Sequence, residues 1–147
     1  MSEEINHRAI AIETYNACMD KLFANPNTED IQELIILAAT SKYHWSKVGG
    51  PSQWAISDWA TSRVFAFAKE PVLAINFAHA SLKHDQSDCP YWQKASLHEG
   101  LARALHSGKF FKERDEEIAI AIELLEKETD ADDAQYIRDQ IRDIPHS

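Results

Sequence analysis

At 147 residues and 16.7 kDa the chain has the length of one domain. A chain of that size buries roughly two thirds of its unfolded surface, so it needs neither a metal nor a disulfide to fold. Fifteen Lys and Arg against 24 Asp and Glu give a formal charge of −9, which long-range repulsion sets against a nucleic-acid or anionic-membrane partner. Cys18 and Cys89 lie 71 residues apart (89 − 18) on different predicted elements, a pattern that fits reduced cytosolic thiols better than a disulfide frame. The polar stretch Met1 to Arg8 has no apolar core of a secretion signal, and the longest fully apolar run, Leu34 to Ala39, is far too short to cross a bilayer. A cytoplasmic location is therefore expected.

Proline and glycine punctuate the chain at intervals of about one helix: Pro26, Pro51, Pro71, Pro90 and Pro145, with Gly49, Gly50 and Gly108. Proline fits a helix's first turn and glycine its left-handed exit, so the marks predict helix boundaries. Twenty alanines against three valines favour helix and starve a sheet. The first predicted helix runs from about Glu4 to Ala24, with Ile5, Ile12, Met19 and Phe23 on one side. Asn27 or Thr28 caps a second, which carries Ile31, Leu34, Ile35, Ala38, Tyr43 and Trp45 and closes at Gly49-Gly50. Helix three opens after Pro51 and runs through Ala68, and helix four runs from Pro71 to about Lys83. Helix five spans Pro90 to His106 with Gly108 as its C-terminal mark, helix six about Phe111 to Lys127, and Thr129 or Asp130 caps a seventh with Ala134, Ile137, Ile141 and Ile144 at three-four spacing. Nothing resembling a linker divides them, so one domain over residues 1–147 is expected.

The third and fifth helices repeat one another. Trp59 to Lys69 lies over Glu99 to Lys109 at an offset of 40 (103 − 63), placing Ser62-Arg63 on Ala102-Arg103. An alanine-rich helix follows in each case. A helical hairpin in tandem cannot bury its apolar face alone, so the units are predicted to stack, with the last helix as a cap.

These residues resemble the tetratricopeptide-like helical repeats, with Ser62 at the small position, Phe65 at the aromatic one and Ala74 at the first alanine of the second helix. The strings around His44 to Pro51, Trp59 to Val64 and Glu99 to Ala104 are also similar to those of small bacterial proteins of that class. The offset of 40 exceeds that family's period of roughly 34. The resemblance implies an all-α, right-handed stack of antiparallel hairpins, about seven helices with a C-terminal capping helix. It also implies a concave surface lined by the first helix of each unit.

Catalytic and metal patterns are missing from the sequence. There is no CxxC pair and no phosphate-cradling glycine loop, Glu-x-x-His occurs once, at Glu4 and His7, and no nucleophile turn accompanies a serine or cysteine. No catalytic residue, metal or cofactor is expected. What remains is a set of large polar and aromatic side chains: His44, Trp45, Trp59, Arg63, Glu99 and Arg103. Trp59 and Arg63 are four apart and share a face, as do Glu99 and Arg103, so a cation–π contact and an ion pair are predicted. Two readings stand side by side. In one, the set is interhelical glue, an Arg-Glu network with tryptophans filling the gaps between units. In the other it is a groove for a carboxylate or peptide. The expected activity is accordingly non-catalytic binding of a protein or peptide partner, a second copy included. The alternative is a small anionic ligand, or a role as an enzyme's accessory subunit.

Overall fold

A computed structural model describes residues 4–145; the start of the Met1 to Arg8 stretch therefore lies outside the described residues. The architecture is all-helical, with no strand among those residues. Seven α-helices run in order: α1 (His7–Leu22), α2 (Ile31–Trp45), α3 (Pro51–Phe67), α4 (Pro71–Lys83), α5 (Tyr91–Ser107), α6 (Phe111–Leu125) and α7 (Ala131–Arg142), with a single 3-10 turn (Thr28–Asp30) leading into α2. No helix of the described residues is long and apolar enough to cross a membrane.

The helix starts follow from local chemistry. The Asn6 side chain accepts the Ala9 amide at 3.0 Å, which starts α1 at His7 rather than at Glu4. Asp130 accepts the Asp132 and Asp133 amides, each at 3.0 Å, and so caps α7. Pro51 and Pro71 occupy first-turn positions, where the missing N–H costs nothing, while Pro90 stands just outside α5 as its N-cap.

The exits differ from the glycine expectation. Gly108 has φ −92°, and the left-handed residue is the next one, Lys109, at φ 66°. Lys69 does the same for α3 at φ 59°. In both, the following amide reaches back across the turn: Glu70 to the Phe65 carbonyl and Phe110 to the Leu105 carbonyl, each at 2.9 Å. Gly108 is small for a packing reason, because a Cβ there would lie 2.9 Å from the Phe110 ring and 3.3 Å from Pro71 Cβ. Gly49 is the glycine with positive φ, at 79°. It turns the chain between α2, which ends at Trp45, and α3.

Consecutive helices pack in an unbroken series, and the hairpins α1/α2, α3/α4 and α5/α6 stack, with α7 closing on α5 and α6. Each odd-numbered helix also packs closely on the next odd-numbered one, while the even-numbered helices stand further apart, α2 and α4 meeting through the Lys42 ammonium 5.9 Å from the Phe77 ring centre. Contact between units is therefore concentrated on the side of α1, α3, α5 and α7, the inner side of the stack. Small side chains permit this spacing. Ala74 and Ala78 of α4 pack on Leu101, Ala104 and Leu105, and Ala95, Ala121 and Ala134 anchor the cluster that buries Leu125, Ile137 and Ile141.

The repeat reaches further back than the sequence reading traced it. Leu34, Ala38 and Ser41 of α2 are buried, and so are Ala74, Ala78 and Ser81, each 40 residues on. Ser62 Oγ donates to the Ala74 carbonyl at 2.7 Å, and Cys18 Sγ donates to the Leu34 carbonyl at 3.8 Å, so one tie joins both hairpins. The α1 stripe of apolar residues is a correction. Its buried residues are Ala11 and Cys18, while Ile5, Ile12 and Phe23 are exposed.

Candidate functional site

Of the six residues singled out from the sequence, the fold brings four together. Glu99 is completely buried in α5, and its carboxylate receives Arg63 Nη1 at 3.1 Å from α3 and Arg103 Nε at 2.9 Å from its own helix. Trp59 Nε1 donates to the same carboxylate at 3.4 Å. Arg103 also donates from Nη2 to the Gln140 carbonyl of α7 at 3.0 Å, tying the last helix to the network. The Arg63 guanidinium lies 4.7 Å from the Phe23 ring centre and 5.7 Å from that of Trp59. Burial pulls Arg63 below its usual range and Glu99 pushes it back up; a guanidinium stays charged under those opposing influences.

The close approach of α3 and α5 depends on Gly100. A Cβ at that position would lie 2.4 Å from Trp59 Cδ1, so only glycine leaves room for the indole beside Glu99. This accounts for a glycine in mid-helix, where it otherwise costs about 1 kcal/mol relative to alanine.

His44 and Trp45 stand elsewhere. His44 Nδ1 meets His7 Nδ1 at 2.8 Å, and Trp45 packs beneath Arg8 with 5.3 Å from guanidinium to ring centre. The Trp45 carbonyl accepts the Trp54 indole N–H at 2.9 Å. Both stand at the C-terminal end of α2 and line neither cavity of the inner side.

Two cavities flank the four-residue network on the inner face. The first, of about 580 Å³, has Arg63, Lys69, Arg103, His106 and Lys109 in its wall and no carboxylate side chain lining it. Lys69 and Lys109 are the left-handed exit residues of α3 and α5, so the repeat itself delivers both ammonium groups to the same rim. The His106 ring shares a 3.0 Å contact with Arg114 Nη1, and Arg114 in turn donates to the Pro145 carbonyl at 3.0 Å, which holds the far wall. Four of the chain's 15 Lys and Arg therefore line a single pocket of a protein with charge −9. Low-dielectric walls focus such a field and draw an anion toward it. The second cavity, of about 510 Å³, holds the aromatic rings of Tyr15, Phe23, Trp59, Trp92 and Tyr136. Burial pushes the Tyr15 phenol up to about 12, so it is a neutral hydroxyl at any physiological pH.

Sequence reasoning missed Lys69 and Lys109 as site residues, though both close the aligned segments at the offset of 40 and were visible in that alignment. It also missed a second buried carboxylate. Asp58 of α3, 2 % exposed, takes Lys42 Nζ from α2 at 2.5 Å and His84 Nε2 from the end of α4 at 2.7 Å. His98 of α5 pairs with Glu117 of α6 at 2.6 Å across the hairpin. Among the described residues no three His, Cys, Asp or Glu side chains gather in metal-binding geometry. Neither a family model, nor a curated protein, nor a solved structure matches this chain.

Proposed function

We propose that this chain is a non-catalytic, cytoplasmic binding protein of the tetratricopeptide-like class, whose concave face takes an acidic peptide segment of a protein partner. The observation that carries the reading is the carboxylate-free cavity of Arg63, Lys69, Arg103, His106 and Lys109 in an otherwise acidic protein. Arg63 and Arg103 are pre-positioned by Glu99, so they lose little freedom when a ligand carboxylate arrives. Lys69 and Lys109 are exposed at the rim and supply long-range attraction. The volume, about 580 Å³, also supports a second reading as a small-anion binding protein or an enzyme's accessory subunit, since it falls in the range of small-molecule pockets.

Titration with labelled aspartate-rich and lysine-rich peptides of equal length tests the proposal. The acidic peptide is expected to bind with strong salt dependence, and Lys69→Glu with Lys109→Glu to abolish binding while leaving the melt within about 0.5 kcal/mol of wild type. Equal binding of both peptides, or undiminished binding by the charge-reversed protein, rejects it. Native mass measurement of protein purified from its host separates a retained small anion from a peptide or a second copy.

A further inference from the structure

The cavity beside the basic one is walled by rings and supplied with free donors. Tyr15 and Phe23 come from α1 and its exit, Trp59 from α3, Trp92 from α5 and Tyr136 from α7, so every inner helix puts an aromatic side chain in the wall. Such rings hold a planar guest by offset stacking or edge to face, with centres roughly 4.5 to 7 Å apart. The Trp59 indole N–H and the Gln93 amide are already given to Glu99 and Ser52. Among the described residues the Tyr15, Tyr136 and Ser96 hydroxyls and Gln140 Nε2 have no hydrogen-bond partner. Ser96 is 8 % and Gln140 6 % exposed, so two of these donors belong to side chains more than nine-tenths buried. Hydroxyls accept as well as donate, and the charge beside them decides which is called for. The Arg63 guanidinium lies 4.7 Å from the Phe23 ring centre and 5.7 Å from that of Trp59, where it repels a second cation and attracts an anion. Glu99 carries one negative charge between two guanidinium groups, so the network keeps one positive charge in excess. Tyr15, Tyr136 and Arg63, from α1, α7 and α3, lie within electrostatic reach of one another.

We infer that the aromatic cavity is a binding site for a small aromatic carboxylate, whose ring lies among the five rings and whose carboxylate accepts from the Tyr15 and Tyr136 hydroxyls on the side of Arg63. Hydrogen bonds to a charged acceptor are the stronger kind, and a phenol is a good donor to a carboxylate as long as it keeps its proton. Tyr15 keeps it throughout the physiological range. Ser96 and Gln140 Nε2 remain for a second acceptor on the ring. Asp20, the one carboxylate in the wall, is exposed, so its repulsion is weakened by water and salt. The volume of about 510 Å³ is that of a small-molecule pocket. The site stands apart from the peptide reading of the basic cavity, because Lys69 and Lys109 line that cavity and not this one.

Calorimetric titration at pH 7 with three probes of one shape tests the site: naphthalene-2-carboxylate, its fully saturated analogue decahydronaphthalene-2-carboxylate, and 2-(aminomethyl)naphthalene. The aromatic acid is expected to bind about tenfold tighter than the saturated acid, and the ammonium compound weakest of the three. In NMR spectra the aromatic acid should move the indole signals of Trp59 and Trp92 saturably and leave those of Trp45 and Trp54, which lie outside this wall, in place. Tyr15→Phe with Tyr136→Phe keeps both rings and deletes both hydroxyls, and should weaken the aromatic acid about tenfold. Should that pair fail to fold, Tyr136→Phe alone, at an exposed position, should weaken it about threefold. Lys69→Glu with Lys109→Glu, which is expected to abolish acidic-peptide binding, should change the affinity for the aromatic acid by less than about threefold. Equal binding of the saturated acid or of the ammonium compound overturns the inference, and so do unmoved Trp59 and Trp92 signals or full affinity in the hydroxyl-free variants. Loss of the aromatic acid in the charge-reversed protein would place it in the basic cavity and overturn it as well. Acidic peptides that fail to bind while the aromatic acid does would sink the peptide reading and leave this site standing.

Discussion

Two carboxylates are buried in α3 and α5, each held by two bases, yet they stand on opposite sides of the stack and are built from different parts. Glu99 on the inner face is held by two arginines, of which Arg63 is 8 % and Arg103 19 % exposed. Asp58, on the outer side, is held by Lys42 and His84, 40 % and 29 % exposed. The inner pair presents planar forks whose remaining N–H groups face a cavity, while the outer pair places a point charge and an imidazole where water reaches them. The same motif, a carboxylate between two bases, thus borders a cavity in one place and joins a three-helix seam in the other. What separates the two roles is what the bases can do when the carboxylate is absent.

That difference sets the largest expected effect. Glu99→Ala leaves the largely buried Arg63 guanidinium, 8 % exposed, without its carboxylate partner, so a loss of about 3 to 5 kcal/mol is expected in denaturant melts. Asp58→Ala leaves the Lys42 ammonium and the His84 ring, 40 % and 29 % exposed, open to water in place of the carboxylate, so a loss of about 1 to 2 kcal/mol is expected. Equal losses for the two variants would break the distinction between the seams.

Gly100→Ala probes the inner seam without touching a charge. The new methyl would sit 2.4 Å from Trp59 Cδ1 and force the indole away from Glu99. Overpacking of this kind costs about 1 to 3 kcal/mol, against a helix-propensity gain of about 1 kcal/mol. A net loss accompanied by a changed Trp59 fluorescence environment is expected. A net gain in stability would mean that the two helices can part at no cost, and the seam would not be the rigid wall the groove needs.

Legibility in the sequence follows the same division. The helices and their order were readable because proline fixes starts and because the polar gaps fall at regular intervals. The inner network was readable as well: an i, i+4 pair on α3 and its copy 40 residues on must meet if the hairpins stack, and Trp59, Arg63, Glu99 and Arg103 do meet. The outer seam was not, because Asp58 is joined to residues 16 and 26 positions away on two other helices, with no repeat to link them. His44 and Trp45 were grouped with the inner set on chemistry alone, and the direction in which α2 ends decides otherwise. The first hairpin escaped the alignment because its left-handed residue is Asn25, 44 positions before Lys69 (69 − 25), so the constant offset fails there. The tie from Cys18 to Leu34, matching that from Ser62 to Ala74, becomes visible only when the helices are placed side by side.

The smallest effect concerns pH, and it tests whether α1 is docked on the inner seam as firmly as α5 is. Tyr15 and Cys18 face inward from α1, and burial raises both, from 10.0 to about 12 for the phenol and from 9.0 to about 11 for the thiol. A group whose folded value lies above its unfolded one holds its proton more tightly in the native state. The stability that goes with it is fully present below the unfolded value and disappears as pH rises through the folded one. The arginine network contributes no counterpart in that range, since its guanidinium groups keep their charge. Melting temperature should therefore fall progressively from about pH 9 to about pH 12, with the thiol acting first and the phenol last. The diagnostic comparison is the slope of wild type against Tyr15→Phe with Cys18→Ala. A shallower slope in the double variant, with its starting stability allowed for, places α1 firmly against α3. Parallel slopes would mean that both groups reach solvent, and that the α1 wall of the aromatic cavity opens where the α5 wall does not.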